Sequence, residues 1–442
     1  MLTAIIATFV IGYLLIVFEH PLRLDKSVPA LLMGALIWAL ISLSGLPVVD
    51  HLHQISSLDP VLLHHTGKTA EILFFLLGAM TIVELVDLHR GFAVITNRIT
   101  TTSKVKLMWL LCVLSFFLSA TLDNLAATIV LVSLLRRLVP DRQERLWFVS
   151  MAVIGANAGG AWSPIGDVTT TMLWIGKKVS TLGLIEHLVL PSIVCIVVPA
   201  FIASFMKPFR GPIKLSKDAS MTRNKELLLS SQTMLWVGIG ALVFVPIFKT
   251  ITHLPPYVGM MLALGFVWMV SEYIHPEEDF SEERRHMYSA HKALSRVELS
   301  SITFFLGILL AVGGLESVAV EHNGHTVGFL MYLAEILQTA VPNQNIVVML
   351  LGVLSAIVDN VPLVAATMGM YTQPMDDPLW HFIAYAAGTG GSMLIIGSAA
   401  GVAAMGMERI NFIWYLKNIA WLAALGFVAG ALTFLGVTAV IG

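Results

Sequence analysis

Residues 155–171 read GANAGGAWSPIGDVTTT, a glycine-rich polar stretch inside an apolar run that extends over 147–175. Lipid-facing backbone must be hydrogen-bonded within its own helix, so a break of this kind has to be buried in protein or line a cavity. Pro164 lacks a backbone donor and disfavours helix at Ser163. We predict a broken helix whose freed carbonyls, with nearby hydroxyls, are oxygen ligands for a small cation. The alternative is that the glycines only permit close helix packing.

A counterpart of this break lies at 388–398, which reads GTGGSMLIIGS and contains no acidic residue. The two breaks together carry the polar residues Asn157, Ser163, Asp167, Thr169, Thr170, Thr389, Ser392 and Ser398. Neither break contains Lys or Arg. An anionic substrate would want such bases or bare helix N-termini, so the pattern favours a cation.

The composition assigns the chain to the membrane proteins. Of its 442 residues, 57% are hydrophobic and only 12% are charged, against about 25% charged in an average soluble domain. The apolar residues form runs of 17 or more, and each run is long enough to cross a hydrocarbon core of ~30 Å as a helix. The fold class predicted is an all-α polytopic membrane protein.

The distribution of Lys and Arg orders the predicted spans. We predict ten of them, at 2–18, 28–46, 70–88, 147–175, 184–206, 229–249, 256–274, 299–316, 379–407 and 413–441, with two re-entrant hairpins at 105–139 and 344–371. One set of alternate loops then holds 22 of the 26 basic residues. By the positive-inside rule that side is cytoplasmic and both termini lie outside the cell. The basic run at 207–225 is interpreted as a cytoplasmic linker; a lipid-headgroup or partner site is the alternative.

Three motifs recur in the same order along the chain. FFL occurs at 74–76 and 304–306, SATLDN at 119–124 matches SAIVDN at 355–360, and the glycine pairs at 159–160 and 390–391 are each followed six residues later by another glycine. This predicts two repeats, 1–206 and 229–442, joined by the linker at 207–228. Each repeat has five spans and a hairpin, so the second enters the membrane inverted, as in many secondary transporters.

The hairpin tips carry Asp123-Asn124 and Asp359-Asn360. An ionised carboxylate at the membrane centre costs roughly 2.5–3.5 kcal/mol, so each Asp needs a proton or a partner. Asn can supply a carbonyl ligand beside it. The alternative is that each Asp caps the second arm of its hairpin.

Asp167 is the acid that we expect to carry the central role. A buried carboxylate can bind either a proton or a cation, and competition between the two is the minimal machinery of an antiporter. Glu84, Asp87 and Glu316 are second-tier candidates, either as relay groups or as headgroup-level anchors. His51, His53, His64 and His65 are expected in one outside loop, as a pH sensor, a metal site or a loop without function.

The sequence resembles the NhaD type of sodium/proton antiporter in the ion transporter (IT) superfamily. The resemblance covers nearly the whole chain and rests on EHPLR at 19–23 and on the segments 119–128, 155–171 and 355–367. It implies a homodimer whose protomers divide into a dimerising scaffold and a transport domain that moves like an elevator. The residues predicted to bind cation or proton are Asp123, Asn124, Thr128, Asn157, Ser163, Asp167, Thr169, Thr170, Ser355, Asp359, Asn360, Thr389, Ser392 and Ser398, with Na⁺ itself at Asp123, Asp167, Thr169, Asp359 and Asn360.

The resulting prediction is a secondary transporter that exchanges Na⁺ or Li⁺ for H⁺ across the cell inner (plasma) membrane. Its expected partners are small inorganic cations and the lipid bilayer, with no nucleic acid and no resident cofactor. Dicarboxylate carriers of the superfamily have Ser-Asn-Thr at both tips, where this chain has Leu122-Asp123-Asn124 and Val358-Asp359-Asn360. This departure argues against an anion substrate; the first alternative is an anion or metalloid (arsenite or dicarboxylate) carrier of the same fold. An intramembrane aspartyl protease is a remote one, since residues 164–167 read PIGD and not GxGD.

Overall fold

Helices make up most of the computed structural model, which describes residues 1–50, 54–96, 99, 101–213, 227–276, 288–322, 325–341, 343–357 and 360–441. The helices are α1 (Leu2–Val17), α2 (Glu19–Leu22), α3 (Ser27–Ser44), α4 (Leu58–Leu88), α5 (Gly91–Thr96), α6 (Lys104–Leu122), α7 (Asn124–Leu138), α8 (Arg142–Gly160), α9 (Val168–Ile175), α10 (Thr181–Ser204), α11 (Ser231–Thr252), α12 (Pro256–Tyr273), α13 (Ala290–Leu294), α14 (Leu299–Ser317), α15 (Phe329–Ala340), α16 (Gln344–Ser355), α17 (Asn360–Met370), α18 (Pro378–Gly390), α19 (Ala399–Glu408), α20 (Phe412–Asn418) and α21 (Ala420–Ile441). A 3₁₀ turn follows α10 at Lys207–Phe209.

Seven helices within the described ranges are long and apolar enough to cross a bilayer: α3, α4, α6, α10, α11, α14 and α21. The polytopic membrane class is therefore confirmed. The number of ten spans, the re-entrant path of the hairpins and the inverted orientation of the repeats stay predictions.

The predicted start of the third span is wrong. Helix α4 begins at Leu58, twelve residues before the expected 70, so His64 and His65 are helical and do not lie in a loop. His65 is half-buried, and its Nε2 is 2.9 Å from the Ser317 hydroxyl on α14. Since the imidazole ring also packs near Trp38, it contributes to the contact between helices. His51 and His53 lie outside the described residues.

Two predicted hairpins appear as pairs of helices. Helices α6 and α7 meet at Asp123, and the arms α16 and α17 flank residues 356–359. The first arm of each pair packs on the helix that precedes a break: α6 on α8, and α16 on α18. The two contacts are equally close, because a Cβ on Gly159 would lie 2.1 Å from the Phe116 carbonyl and one on Gly390 2.1 Å from the Gly352 carbonyl.

The helices form two packed groups. The first helix group contains α1, α3, α4, α11, α12 and α14, and the second contains α6 to α10 with α16 to α21. Their main contact is between α14 and α17. Each group draws helices from both halves of the sequence.

Two small antiparallel β-hairpins were not predicted. Strands β1 (Val48–Val49) and β2 (Ile55–Ser56) form one, and β3 (Ala319–His322) and β4 (His325–Gly328) the other. They meet through a bridge between Val48 and Val318. Helix α15, which follows β4 in a stretch that was expected to be a connection, packs on α14 and α17.

Candidate cation site

Both broken helices restart through a side-chain cap. Asp167 has extended backbone, and its carboxylate accepts from the Thr169 amide at 2.8 Å at the start of α9. Ser398 has the same backbone conformation, and its hydroxyl accepts from the Gly401 amide at 3.1 Å at the start of α19. Capping satisfies donors that the first turn of a helix leaves free. The break therefore fixes the position of a carboxylate in the first half and of a hydroxyl in the second.

Asp167 is buried at the centre of a set of donors. Thr169 donates its amide and its hydroxyl to Oδ1, the hydroxyl at 2.7 Å. Asn124, at the tip of the first hairpin, donates its Nδ2 to Oδ2 at 2.5 Å. Asn360, at the tip of the second hairpin, places its Nδ2 at 3.3 and 3.4 Å from the two carboxylate oxygens. Both hairpins thus converge on one carboxylate.

Asn157 connects this carboxylate to the second broken helix. Its Oδ1 accepts from Asn124 Nδ2 at 3.2 Å. Its Nδ2 is 2.9 Å from the hydroxyls of both Ser392 and Ser398. All these side chains are buried. Within the described part of the chain, the network therefore joins both halves through the neutral groups around Asp167.

Other predicted site residues brace this network and do not belong to it. Ser163 donates its hydroxyl to the Ala120 carbonyl at 2.6 Å and ties the first break to α6. Thr170 bonds to carbonyls within the same break. Ser355 donates to the Ala387 carbonyl at 2.8 Å and Thr389 to the Tyr385 carbonyl at 2.6 Å. These four hydroxyls hold backbone in place.

Thr128 differs from those four residues. It lies one turn beyond Asn124 on α7, is fully buried, and has no hydrogen-bond partner for its hydroxyl within the described part of the chain. A buried polar group without a partner costs about 1–3 kcal/mol. A ligand or water beside the hairpin tip would remove that cost.

The structure describes one of the two hairpin aspartates, Asp123. Asp123 adopts φ +93° between α6 and α7, and its carboxylate accepts from the Ala126 amide at 2.7 Å. It is therefore the cap that the sequence offered as an alternative, a role that does not exclude cation binding. Asp359 lies outside the described residues.

The second-tier acids lie apart from the network. Glu84 and Asp87 are on α4, and Asp87 is 3.6 Å from Arg296. Glu316 is on α14 and faces Gly369 of α17, where the two helix groups meet. Asp87 therefore belongs to an ion pair at the end of α4.

Sequence reasoning missed the groups that hold the far ends of the restarted helices. Glu408, buried at the end of α19, pairs with Arg136 at 2.7 Å and Arg145 at 2.9 Å. Arg142 donates to the Glu408 carbonyl at 3.0 Å. At the end of α9, Lys249 donates to the Trp174 carbonyl at 2.9 Å and lies 4.0 Å from the centre of its ring. Basic residues at helix C-termini are a general signal, but such distant pairings are not readable from local spacing.

The chemistry of the network suits a hard monovalent cation. It offers one carboxylate, three carboxamides and several hydroxyls, all oxygen-bearing groups. Among the described residues no three His, Cys, Asp or Glu side chains cluster as a metal site. Transition metals prefer imidazole and thiolate ligands, whereas carboxylate and carbonyl oxygens suit hard ions.

Comparison with known proteins gives a consistent set of relatives. Residues 13–388 match the family described as citrate transporter (CitMHS). The chain is similar to Sodium/proton antiporter 1 of Arabidopsis thaliana, with 46% identity over 97% of this chain and 71% of that protein. Sodium/proton antiporter 2 of the same plant is 44% identical over 97% of this chain and 98% of its own length. The Na(+)/H(+) antiporter NhaD of Alkalimonas amylolytica is 30% identical over 95% of this chain and 90% of that protein.

Proposed function

The chain belongs to the NhaD-type sodium/proton antiporters within the citrate-transporter family, and from this premise we propose that it exchanges Na⁺ or Li⁺ for H⁺ at Asp167. The observation that carries the proposal is the convergence of both hairpin tips on this one carboxylate. The charge of a bound Na⁺ is balanced by ionised Asp167, and a proton balances the same charge when Na⁺ is absent.

Competition for one carboxylate explains exchange. Bound Na⁺ takes oxygen ligands from Asp167, from the Thr169 hydroxyl and from the two hairpin carboxamides. A proton on Asp167 removes the charge that holds the cation, so the two ions are bound in turn. Asp123 and Asp359, at the hairpin tips, are proposed as further acidic groups near this site.

The two helix groups suggest how the site reaches both sides of the membrane. We assign the second helix group, which contains every residue of the network, to a transport domain and the first helix group to a scaffold. An elevator movement would slide α17 along α14 and separate Lys249 from Trp174. We further propose that the first helix group forms the interface of a homodimer in the plasma membrane. The chain would then consist of two inverted repeats, with both termini outside the cell.

Carriage of citrate or another anion is the alternative that the family's description raises. Within the described network no Lys or Arg donates to the site, and its centre is a carboxylate. A citrate carboxylate placed there would face the carboxylate of Asp167, and like charges repel. Relatives that are named as antiporters also favour transport over the aspartyl protease.

The proposal is tested by proton flux in proteoliposomes with an acidic interior and a trapped pH dye. Addition of Na⁺ or Li⁺ outside should raise the internal pH, while K⁺ and choline should not. Asp167→Asn should reduce the response to that of protein-free liposomes. Asp141→Asn is a matched control, since Asp141 caps α8 away from the site and Asn is an equally good cap. Folded wild-type protein that responds to no cation, or responds to citrate, would overturn the proposal.

A further inference from the structure

The hydrogen bonds around Asp167 describe one state of the site. An ionised carboxylate only accepts hydrogen bonds, so the carboxamides of Asn124 and Asn360 turn their N–H groups toward it. This arrangement stabilises a negative Asp167 without a cation. A cation at the same place would face the positive ends of two amide dipoles.

Cation binding therefore requires the carboxamides to present oxygen. Rotation about the last side-chain bond exchanges the N–H₂ and C=O ends of Asn124 in the same volume. After this rotation the Asn124 oxygen faces the cation. It also faces Asn157 Oδ1, which lies 3.2 Å from Asn124 Nδ2 in this structure. Two carbonyl oxygens at that distance repel each other, so Asn157 has to rotate as well.

The partners of Asn157 permit this second rotation. Its Nδ2 now donates to the hydroxyls of Ser392 and Ser398, both at 2.9 Å. A hydroxyl can donate as well as accept, so both serines can reverse and donate to Asn157 Oδ1. Ser398 keeps its cap on Gly401, because its oxygen still accepts there. Asn157 makes three hydrogen bonds to these partners in either direction.

We propose that Asn124, Asn157, Ser392 and Ser398 form a reversible hydrogen-bond relay that reports cation occupancy of Asp167 to the second broken helix. The inference rests on the proposed cation site and assigns Ser392 a positioning role without contact to the ion. Occupancy in one half of the chain is thereby transmitted to the other half by neutral groups, without movement of a charge.

The relay predicts that Ser392→Ala strengthens Na⁺ binding. When no cation is bound, Asn157 donates to both serines, in what we call the cation-free direction of the relay, and Ser392→Ala leaves one of its buried N–H groups without an acceptor. In the cation-bound direction it only removes one of two donors to a carbonyl oxygen, which is less costly. The variant therefore disfavours the cation-free direction, and Na⁺ should bind about threefold to tenfold more tightly. Loss of a direct ligand or of simple packing would weaken binding.

Isothermal titration calorimetry of the full-length protein in detergent, with NaCl against a choline chloride background, measures this affinity. Ser392→Thr, which keeps the hydroxyl, should restore the wild-type value. Ser150→Ala is a matched control, because Ser150 is a buried serine on the same helix as Asn157 and donates its hydroxyl to the Leu146 carbonyl, within its own helix. Unchanged or weaker Na⁺ binding by folded Ser392→Ala would overturn the relay.

A second measurement does not depend on that variant folding. Infrared difference spectra of wild-type protein with ¹³C-labelled asparagine, recorded with and without Na⁺, should show isotope-sensitive side-chain amide bands. Their absence in protein that binds Na⁺ would overturn the relay and leave the proposed function intact. Wild-type protein that binds no Na⁺ would overturn both.

Discussion

The first broken helix restarts at Asp167 and the second at Ser398, with nearly the same backbone: φ −150° and ψ 144° at the first, φ −145° and ψ 153° at the second. Each cap accepts from an amide in the helix that follows. The two positions thus share one backbone conformation, but only Asp167 carries an ionisable group. The difference teaches that two breaks with the same backbone can place an acid in one half of the chain and neutral dipoles in the other.

The far ends of the restarted helices differ in the same way. Helix α19 ends on the buried Glu408, which three arginines hold, whereas α9 ends on the Trp174 carbonyl, which Lys249 holds from the first helix group. The first of these clamps, formed by Glu408 and its arginines, lies within the second helix group. The second clamp, formed by Lys249 and Trp174, joins the two helix groups. The first should therefore support folding and the second should favour one conformation.

The largest effect expected concerns these clamps. Glu408→Ala removes a buried carboxylate and two charge-assisted hydrogen bonds, to the partly buried Arg145 and the exposed Arg136, and should lower the free energy of unfolding by about 2–4 kcal/mol. Lys249→Ala removes one hydrogen bond and one cation–π contact and should cost about 1–2 kcal/mol. Thermal unfolding in detergent measures both, with the exposed Glu186→Ala as a control. Equal losses in the two variants would remove the distinction between the clamps.

A smaller effect separates the hairpin tips. Asn124 donates to Asp167 at 2.5 Å and also bonds to Asn157, whereas Asn360 lies at 3.3 and 3.4 Å from the carboxylate oxygens. Hydrogen bonds to charged groups contribute about 1.5–3 kcal/mol. Asn124→Ala should therefore reduce Na⁺-driven proton flux about tenfold to a hundredfold, and Asn360→Ala about twofold to fivefold. The reverse order would show that the second hairpin dominates the site.

The smallest effect concerns a contact between the halves of the first helix group. Hydrogen bonds from the Ser27 hydroxyl and amide and from the Ser300 hydroxyl lower the pKa of Asp25 below its usual value. A lowered pKa in the folded protein contributes stability above the unfolded value, and this contribution is lost as pH falls through the folded value. Since Asp25 is exposed and screened, Asp25→Ala should lower Tm by less than about 2 °C at pH 7, and by progressively less as the pH falls through the folded pKa of Asp25. A larger loss at pH 3 than at pH 7 would contradict this sign.

Local sequence signals predicted the parts of the site that backbone chemistry dictates. The glycine pairs, Pro164 and the Asp123 tip each have a conformational cost or charge that requires a break, a turn or a partner, and these lie where the sequence placed them. The convergence of Asn124 and Asn360 on Asp167 is expected only from the family resemblance, because contacts between the two halves of the chain leave no pattern in the local sequence.

Other features had no comparable signal. The pairing of Glu408 with arginines about 270 residues away, and of Lys249 with Trp174, depends on tertiary contact alone. The predicted loop at His64 and His65 is wrong, because α4 extends through both residues. A helix packed on α14 tolerates such residues when they find partners, as His65 does with Ser317.

The central claim is that proton and cation compete for Asp167, and proton release on Na⁺ binding tests it most directly. Purified protein in weakly buffered detergent solution is mixed with NaCl while a pH indicator reports released protons. Wild-type protein should release protons with Na⁺ or Li⁺ and none with choline, and Asp167→Asn should release none. Na⁺ binding without proton release, or full release by Asp167→Asn, would contradict the account and move the shared site to another carboxylate.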